Sequence, residues 1–211
     1  MKAAPSRDAD HFARLYAASS DPWQFRTSAY EDKKYTATLA ALPSRRFRAA
    51  LEVGCSIGEL TSRLADRCHA ILGLDIVAAP LVTARARCGH MSHARFCQMR
   101  VPAEWPPGQF DLIVLSEVLY FLSPKDVVFM TRRVHASLAE NGVVLLVNWL
   151  GATDDPLTGD KAASLFIEGS PELNLDLQRR ASDYRIDRLQ RLRGNANDAN
   201  RQPSRQAGGK D

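Results

Sequence analysis

Residues Ala50 to Leu60 read ALEVGCSIGEL, and this stretch decides the fold of the chain. A short apolar run passes through Glu52 into two glycines, Gly54 and Gly58, and apolar residues at helical spacing follow. Glycine lets a backbone turn tightly and approach a ligand, because it has no Cβ. The stretch therefore predicts a buried strand, a glycine loop and an amphipathic helix in direct succession.

The next apolar run, AILGLD, ends in a carboxylate at Asp75. A carboxylate about 20 residues beyond a glycine loop is placed to accept hydrogen bonds from the two hydroxyls of a ribose. The loop itself is GxxxG, whereas a dinucleotide site needs GxGxxG so that the backbone can touch a pyrophosphate. The spacing favours a cofactor that contains a nucleoside and disfavours one that contains a pyrophosphate.

Strand and helix patterns alternate along the chain. Apolar runs of strand length lie at 49–53, 70–74, 94–97, 112–115 and 143–147, the third being the weakest. Helical patterns separate these runs, which predicts a parallel sheet with right-handed crossovers and helices on both faces. For the last of these helices we expect Ser123 as N-cap, Pro124 in the first turn and Gly142 after the end.

Two further segments, 173–177 and 184–189, alternate apolar and polar residues on either side of a short connection. This pattern predicts an antiparallel hairpin that closes the sheet. The fold class is therefore α/β, with a Rossmann-like parallel sheet and a C-terminal antiparallel hairpin. We expect residues 1–48 to form a helical lid, 49–193 the core and 194–211 a disordered basic tail.

Composition limits the partners of the chain. Its 211 residues are 45% apolar, enough for one domain with a sizeable core, and the net charge is +4. Residues 179–211 carry a balance of +5, which leaves −1 for the preceding body, so a nucleic-acid partner is not expected. No apolar run reaches the ~20 residues of a membrane span and no signal peptide is visible, so we expect a cytoplasmic protein.

The cysteines and histidines predict no metal site. Cys55, Cys68, Cys88 and Cys97 are separated by 13, 20 and 9 residues, which matches no CxxC pattern. The five histidines form neither HxxxH nor HExxH. We interpret the cysteines as reduced thiols.

Three segments together resemble a known family. The glycine loop with Glu52 resembles motif I of class I S-adenosylmethionine-dependent methyltransferases, with Ser56 at the place of the middle glycine. The string FDLIVLSEVLYFL, 110–122, is similar to the fourth-strand motif of these enzymes. With DPWQFRTSAYEDKKYTATLAALP, 21–43, the chain resembles the family of the rhizobial nodulation protein S. That likeness implies an S-adenosylmethionine-dependent N-methyltransferase whose acceptor is an amino group on a chitooligosaccharide, another saccharide or another small molecule.

The resemblance also implies which residues bind the cofactor. Many relatives have an acidic residue near the adenine where this chain has Arg100, so backbone groups are expected to serve there. The implied set is Glu52, Gly54 and Gly58 at the methionine part with Cys55 between them, Asp75 at the ribose, Met99, Arg100 and Val101 at the adenine, and Ser116 at the end of the fourth strand.

Catalysis of methyl transfer needs alignment more than covalent help, since the sulfonium already activates the methyl group. An amine acceptor must lose a proton before its lone pair can react, so a base or acceptor clamp is expected. Glu117, just beyond the fourth strand, is the best candidate, and the alternative is a carboxylate at a helix start. Tyr120 would face the same side in a helical turn, and the alternative is a packing aromatic.

Aromatic residues are dense before the first strand, and we expect Trp23, Tyr30 and Tyr35 to belong to a substrate lid. The alternative is that they cover a sheet edge. Tyr30 and Lys34 form YxxxK, the pair of short-chain dehydrogenases, but here it precedes the glycine loop, and we interpret the spacing as chance. Two other functions stay open: a non-catalytic binding protein with a methyltransferase-like fold, and an NAD(P)-dependent oxidoreductase.

Overall fold

The computed structural model describes residues 4–191, so the expected tail at 194–211 lies outside the described residues. The helices are α1 Ala9–Ala18, α2 Ala29–Ala40, α3 Glu59–Ala65, α4 Ala78–Arg87, α5 Pro124–Ser137 and α6 Gly159–Glu168, with a 3₁₀ turn at Leu119–Phe121. The strands are β1 Ala50–Val53, β2 Ile71–Asp75, β3 Ala94–Gln98, β4 Phe110–Ser116, β5 Leu138–Trp149, β6 Asn174–Arg180 and β7 Tyr184–Gln190.

The seven strands form one sheet in the order β3-β2-β1-β4-β5-β7-β6. Strands β1 to β5 are parallel, and β7 runs antiparallel to both β5 and β6. The predicted parallel sheet with a closing hairpin is therefore confirmed. Because β1 lies in the centre between β2 and β4, its carboxyl end opens at the middle of the sheet edge, where open α/β sheets bind ligands.

Apolar side chains alternate between the two faces of the sheet, as the period of a strand requires. In β1, Leu51 and Val53 join a core cluster that includes side chains of α5 and α6, whereas Ala50 joins a second cluster that includes side chains of α2 and α3. Both faces are covered, which is why the strands read as nearly continuous apolar runs. Within 4–191, no helix combines the length and apolar character that crossing a bilayer requires.

Helix α5 begins as predicted and ends earlier. The Ser123 hydroxyl accepts a hydrogen bond from the backbone N–H of Asp126, and Pro124 occupies the first turn. We expected the helix to continue to the residues just before Gly142, and this is wrong. The helix ends at Ser137, and Leu138 is already extended and pairs with Phe110. Burial of Leu138 in the sheet core outweighs the continuation of the helical pattern.

A buried ion pair fixes the hairpin. Asp187 on β7 is fully buried, and the Arg185 guanidinium donates to both of its oxygens at 2.8 Å. Gln178 on β6 donates to the same carboxylate at 2.7 Å, and Arg185 also reaches Asp160 on α6 at 3.0 Å. One arginine therefore links both hairpin strands to a helix.

We expect Arg185→Met to destabilise the fold by about 3–5 kcal/mol, because it leaves the Asp187 carboxylate buried without its charge partner. Urea unfolding followed by circular dichroism measures this free energy. Arg180→Met is the matched control, since Arg180 pairs with Asp160 in an exposed position where solvent screens the pair, so its loss of stability should be much smaller. Equal losses in the two variants would contradict the importance of the buried pair.

Candidate active site

The glycine loop lies at the carboxyl end of β1 and passes close to the end of β4. Gly54 has φ +78°, and a Cβ at this position would lie 2.5 Å from Cγ2 of Val118. The side chain of any other residue would be strained by the backbone angle and would collide with Val118. Gly54 therefore allows the loop to approach the segment that follows β4.

Ser56, at the place of the middle glycine in the motif, also takes a left-handed conformation, with φ +48°. This explains why the family uses glycine there, since a side chain makes this region costly. The Ser56 hydroxyl forms a 2.5 Å hydrogen bond with the hydroxyl of Tyr16 on α1. The residue that departs from the motif therefore attaches the N-terminal helix to the loop.

Asp75 anchors the same loop from the end of β2. One carboxylate oxygen accepts the backbone N–H of Ser56 and the other accepts that of Val77, both at 2.9 Å. Burial raises the pKa of Asp75 to about 6, although these hydrogen bonds oppose the shift. The Ile76 backbone also lowers the pKa of this carboxylate, so up to three backbone donors face its two oxygens, and lone pairs remain for further donors.

A cavity of about 550 Å³ lies at the carboxyl ends of β1, β2, β4 and β5, and side chains of α1 and α2 form another part of its lining. Most of the side chains predicted from the sequence line it: Trp23, Tyr30, Tyr35, Gly54, Cys55, Asp75, Met99, Val101, Ser116, Glu117 and Tyr120. Within residues 4–191, no group of three or more His, Cys, Asp or Glu side chains is arranged to hold a metal ion.

Three predicted cofactor residues do not line this cavity. Glu52 is buried behind the loop and accepts a hydrogen bond from the Thr61 hydroxyl. Gly58 begins α3 with φ +76°, and its missing Cβ makes room for Ala84. The backbone N–H of Arg100 donates to Glu104 instead of pointing at a ligand.

Glu117 lines the cavity just beyond β4, and its backbone has a left-handed conformation, with φ +56°. One carboxylate oxygen accepts from the Lys34 ammonium at 2.8 Å. The other accepts from the Tyr120 hydroxyl at 2.9 Å and from the backbone N–H of Trp149 at 3.0 Å. These donors come from α2, the 3₁₀ turn and β5. The carboxylate therefore caps no helix in this structure, and it is a fixed negative charge inside the cavity.

Lys34 is the main site residue that sequence reasoning missed. Its side chain is buried and pairs with Glu31 at 2.9 Å as well as with Glu117. Burial alone would lower the pKa of Lys34, but the two carboxylates raise it above its ordinary value. The YxxxK spacing that we interpreted as chance places Tyr30 and Lys34 together, with the ammonium 5.1 Å from the ring centroid.

The predicted aromatic lid residues have different surroundings. Trp23 is the most exposed of them and stacks on Phe25, with ring centroids 5.5 Å apart. Tyr30 contacts Trp149 edge-on at 5.6 Å, at the carboxyl end of β5. Tyr35 is buried in a core cluster, although its side chain also reaches the cavity. Trp149 was missed, but its place at the end of a parallel strand is the signal that would have found it.

Comparison with known proteins shows the family of the chain. A family model described as Nodulation protein S (NodS) matches residues 6–148, about two thirds of the chain. The chain belongs to the nodulation protein S family. It is 39% identical to nodulation protein S of Bradyrhizobium diazoefficiens over 116 residues, 54% of each chain, and 32% identical to that of Sinorhizobium fredii over 126 residues, 59% of this chain and 57% of the relative. The chain therefore spans little more than half the length of these curated relatives.

Solved structures extend the comparison over more of the chain. A putative methyltransferase from Pseudomonas syringae is 34% identical, and the match covers 78% of this chain and 100% of that one, with a TM-score of 0.69. The N-methyltransferase NodS of Bradyrhizobium japonicum WM9, solved with S-adenosylhomocysteine, gives a TM-score of 0.76 at 21% identity and covers 88% and 99% of the two chains. At that identity the second match shows the shared fold.

The burial of Glu52 leads to a prediction about how the stability of this chain depends on pH. Burial raises the pKa of Glu52 from 4.5 to about 7, so the folded state binds its proton more tightly than the unfolded state. Stability is then lost as pH rises from about 4.5 to about 7 and is constant above. Gln does not ionise. The free energy of unfolding of Glu52→Gln should therefore rise relative to that of wild type by roughly 2–3 kcal/mol as the pH goes from 5 to 8.

Urea unfolding at pH 5, 6, 7 and 8 measures this difference. Glu140→Gln, at an exposed position on β5, is the matched control and should show no such change with pH. A constant difference between Glu52→Gln and wild type across this range would show that Glu52 does not titrate between these pH values.

Proposed function

We propose that this protein is an S-adenosylmethionine-dependent N-methyltransferase that acts on an amino group of a saccharide or another small molecule. The observation that carries the proposal is that Asp75 and Glu117 share one cavity, the first hydrogen-bonded to the glycine loop and the second just beyond the end of β4. Its relatives support it, since one solved neighbour is an N-methyltransferase with S-adenosylhomocysteine bound. The acceptor that we propose is a deacetylated chitooligosaccharide.

The cofactor half of the cavity fits a nucleoside. Lone pairs remain on the oxygens of Asp75, so the carboxylate is able to accept the two hydroxyls of a ribose. Met99 and Val101 supply apolar surface for an adenine, and the missing Cβ of Gly54 lets the loop pack against Val118 at the cavity. A volume of about 550 Å³ lies within the ordinary range of small-molecule sites. When bound there, the cofactor supplies an activated methyl group.

The acceptor half has a fixed negative charge. Glu117 is held by three donors, so its charge is already oriented before a ligand enters. A preorganised charge of this kind attracts an ammonium and stabilises the positive charge that develops on nitrogen during methyl transfer. Glu117 is therefore the acceptor clamp in this proposal, and Tyr120 orients it.

The remaining assignments follow from this activity. Residues 1–48 act as the substrate lid over a core of 49–193, because side chains of α1 and α2 line the cavity. Glu52 and Gly58 shape the glycine loop from outside the cavity, and Cys55 and Ser116 line the cavity. The backbone N–H of Arg100 is bonded to Glu104, so we assign it no cofactor contact. The partner that we propose is a small molecule or oligosaccharide and not a nucleic acid, and the location that we propose is the cytoplasm.

Asp75→Ala should weaken S-adenosylhomocysteine binding roughly 10- to 150-fold, because it removes charge-assisted hydrogen bonds to the ribose worth ~1.5–3 kcal/mol. Isothermal titration calorimetry measures the affinity of wild type and variant, with NAD as a ligand that should not bind. Asp66→Ala, a carboxylate that follows α3 outside the cavity, is the control. Unchanged affinity in Asp75→Ala would remove Asp75 from the ribose site, and tight binding of NAD would favour an oxidoreductase.

Glu117→Gln should slow methyl transfer about 100-fold while S-adenosylhomocysteine affinity stays within about threefold, because only the charge of the clamp is lost. Lys34 keeps Glu31 as its partner in this variant, so the fold should persist. Single-turnover transfer to glucosamine oligomers measures the rate. Tyr120→Phe, which deletes one of the three donors, should lose less than Glu117→Gln. A wild-type rate combined with a lower melting temperature would show that Glu117 is structural.

A further inference from the structure

The two carboxylates and one ammonium in the cavity wall do not balance in charge. Glu31 and Glu117 each lie within 2.9 Å of the Lys34 ammonium, and Glu31 and Lys34 are 6% and 2% exposed. With Glu31 and Glu117 ionised and Lys34 charged, the triad carries one uncompensated negative charge in a nearly dry site. An unpaired charge in such surroundings is costly unless a cation joins it.

Two polar atoms beside this triad have no partner among the residues that the structure describes. One is Oε2 of Glu31, and the other is the hydroxyl of Tyr30, and both are buried from solvent. The side chains of both residues line the cavity. Buried polar atoms in native proteins are normally paired, so two free ones in a ligand cavity indicate contacts that a ligand completes.

Glu31 and Glu117 differ in their freedom to accept a proton. Glu117 already receives three hydrogen bonds. Glu31 receives one from Lys34 on Oε1 and has the Tyr35 hydroxyl close to its carboxylate, and its Oε2 has no partner within residues 4–191. Burial raises the pKa of Glu31 above its ordinary value, and Lys34 only partly opposes this shift. The pKa of Tyr30 is raised too, first by burial and then by the negative charges of Glu117 and Glu31, so its hydroxyl stays protonated.

We propose that the ammonium form of the acceptor binds between Glu31 and Tyr30, and that Glu31 is the base that removes its proton. This inference rests on the proposed function and extends it. The amine faces the Glu31 carboxylate, and the Tyr30 oxygen accepts one ammonium hydrogen. Lys34 stays bound between the Glu31 and Glu117 carboxylates.

The reaction balances with these groups. A proton passes from the R–NH₃⁺ acceptor to the free oxygen of Glu31, which gives R–NH₂ and a neutral carboxylic acid. The amine lone pair then forms the N–CH₃ bond as the C–S bond breaks, and the electron pair of that bond stays on sulfur. The product R–NH₂⁺–CH₃ carries the positive charge that the sulfonium has lost, next to the fixed charge of Glu117.

Glu31→Gln tests the base, and Asp32→Asn is the matched control. Asp32 is the next residue of α2, is exposed and pairs with Arg63 away from the cavity, so the control loses the same charge from the same helix. The measurement is single-turnover methylation of a glucosamine dimer at saturating concentration from pH 6.5 to 9. The melting temperature and the affinity for S-adenosylhomocysteine are recorded for each variant.

At pH 7 we expect Glu31→Gln to lose about 100-fold or more in transfer rate, as a missing general base does. By pH 9 the variant should recover to within about tenfold of wild type, because the amine then enters without its proton. The ionisable groups that face Glu31 are Tyr30, Lys34 and Tyr35 on α2 and Glu117 beyond β4. Raised pKa values keep Lys34 charged and both tyrosines neutral through this range.

Tyr30→Phe is the second variant, and it deletes only an unpartnered hydroxyl, so the fold should be unaffected. Its KM for the dimer should rise about tenfold while the rate at saturation stays within about threefold. An unchanged KM would overturn the subsite.

The other outcomes separate this inference from the proposed function. Wild-type rates in Glu31→Gln, or a loss that is equal at every pH, would overturn the role of Glu31 and leave the methyltransferase proposal intact. A wild-type protein that binds S-adenosylhomocysteine and methylates no amine at any pH would overturn both.

Discussion

The buried ammonium of Lys34 holds the structure of the site together. It lies on α2, before the first strand, and its hydrogen bond to Glu117 reaches the end of β4 in the centre of the sheet. Burying a lysine is costly, and the cost is met only if its partners stay in place. Helix α2, the Glu117 carboxylate and the Tyr30 ring are therefore held together by one ammonium group.

That contact explains the strained backbone at the site. Glu117 has a left-handed conformation, which a residue with a side chain adopts only when its surroundings hold it there. Lys34, Tyr120 and the N–H of Trp149 supply these restraints from three separate elements. Ser56 shows the same principle on the cofactor side, where its left-handed backbone is held by Asp75 and its hydroxyl by Tyr16.

Most of the fold was predictable from local patterns, because the central strands β1, β2, β4 and β5 are apolar runs. Strands β3 and β6 are half-buried or exposed and carry a weaker signal. The site was predictable where its residues follow strands: Asp75 and Glu117 lie at carboxyl ends, and the topology brings those ends together. Lys34 and Glu31 could not be predicted from the sequence. A charged residue in a helical pattern normally indicates an exposed position, and its burial becomes evident only when its charge partner is known. Glu52 shows the opposite error, because a motif position near the loop proved to face the core.

The cavity contains two chemically different regions. The glycine loop and Asp75 form a polar cradle suited to a nucleoside, and Glu31, Lys34 and Glu117 form an ionic wall suited to a cation. The proposed methyl transfer needs both regions, since the lone pair of an amine must be aligned with the bond that it attacks. Glu117 lies where the two regions meet.

The most direct test of this account is a crystal structure with S-adenosylhomocysteine and a glucosamine dimer bound together. The account predicts the ribose hydroxyls on Asp75, the sulfur facing Glu117, and the amine nitrogen within hydrogen-bond distance of Glu31 and Tyr30, with Lys34 still between the two carboxylates. An amine that contacts neither carboxylate, or a nucleoside bound away from Asp75, would contradict it.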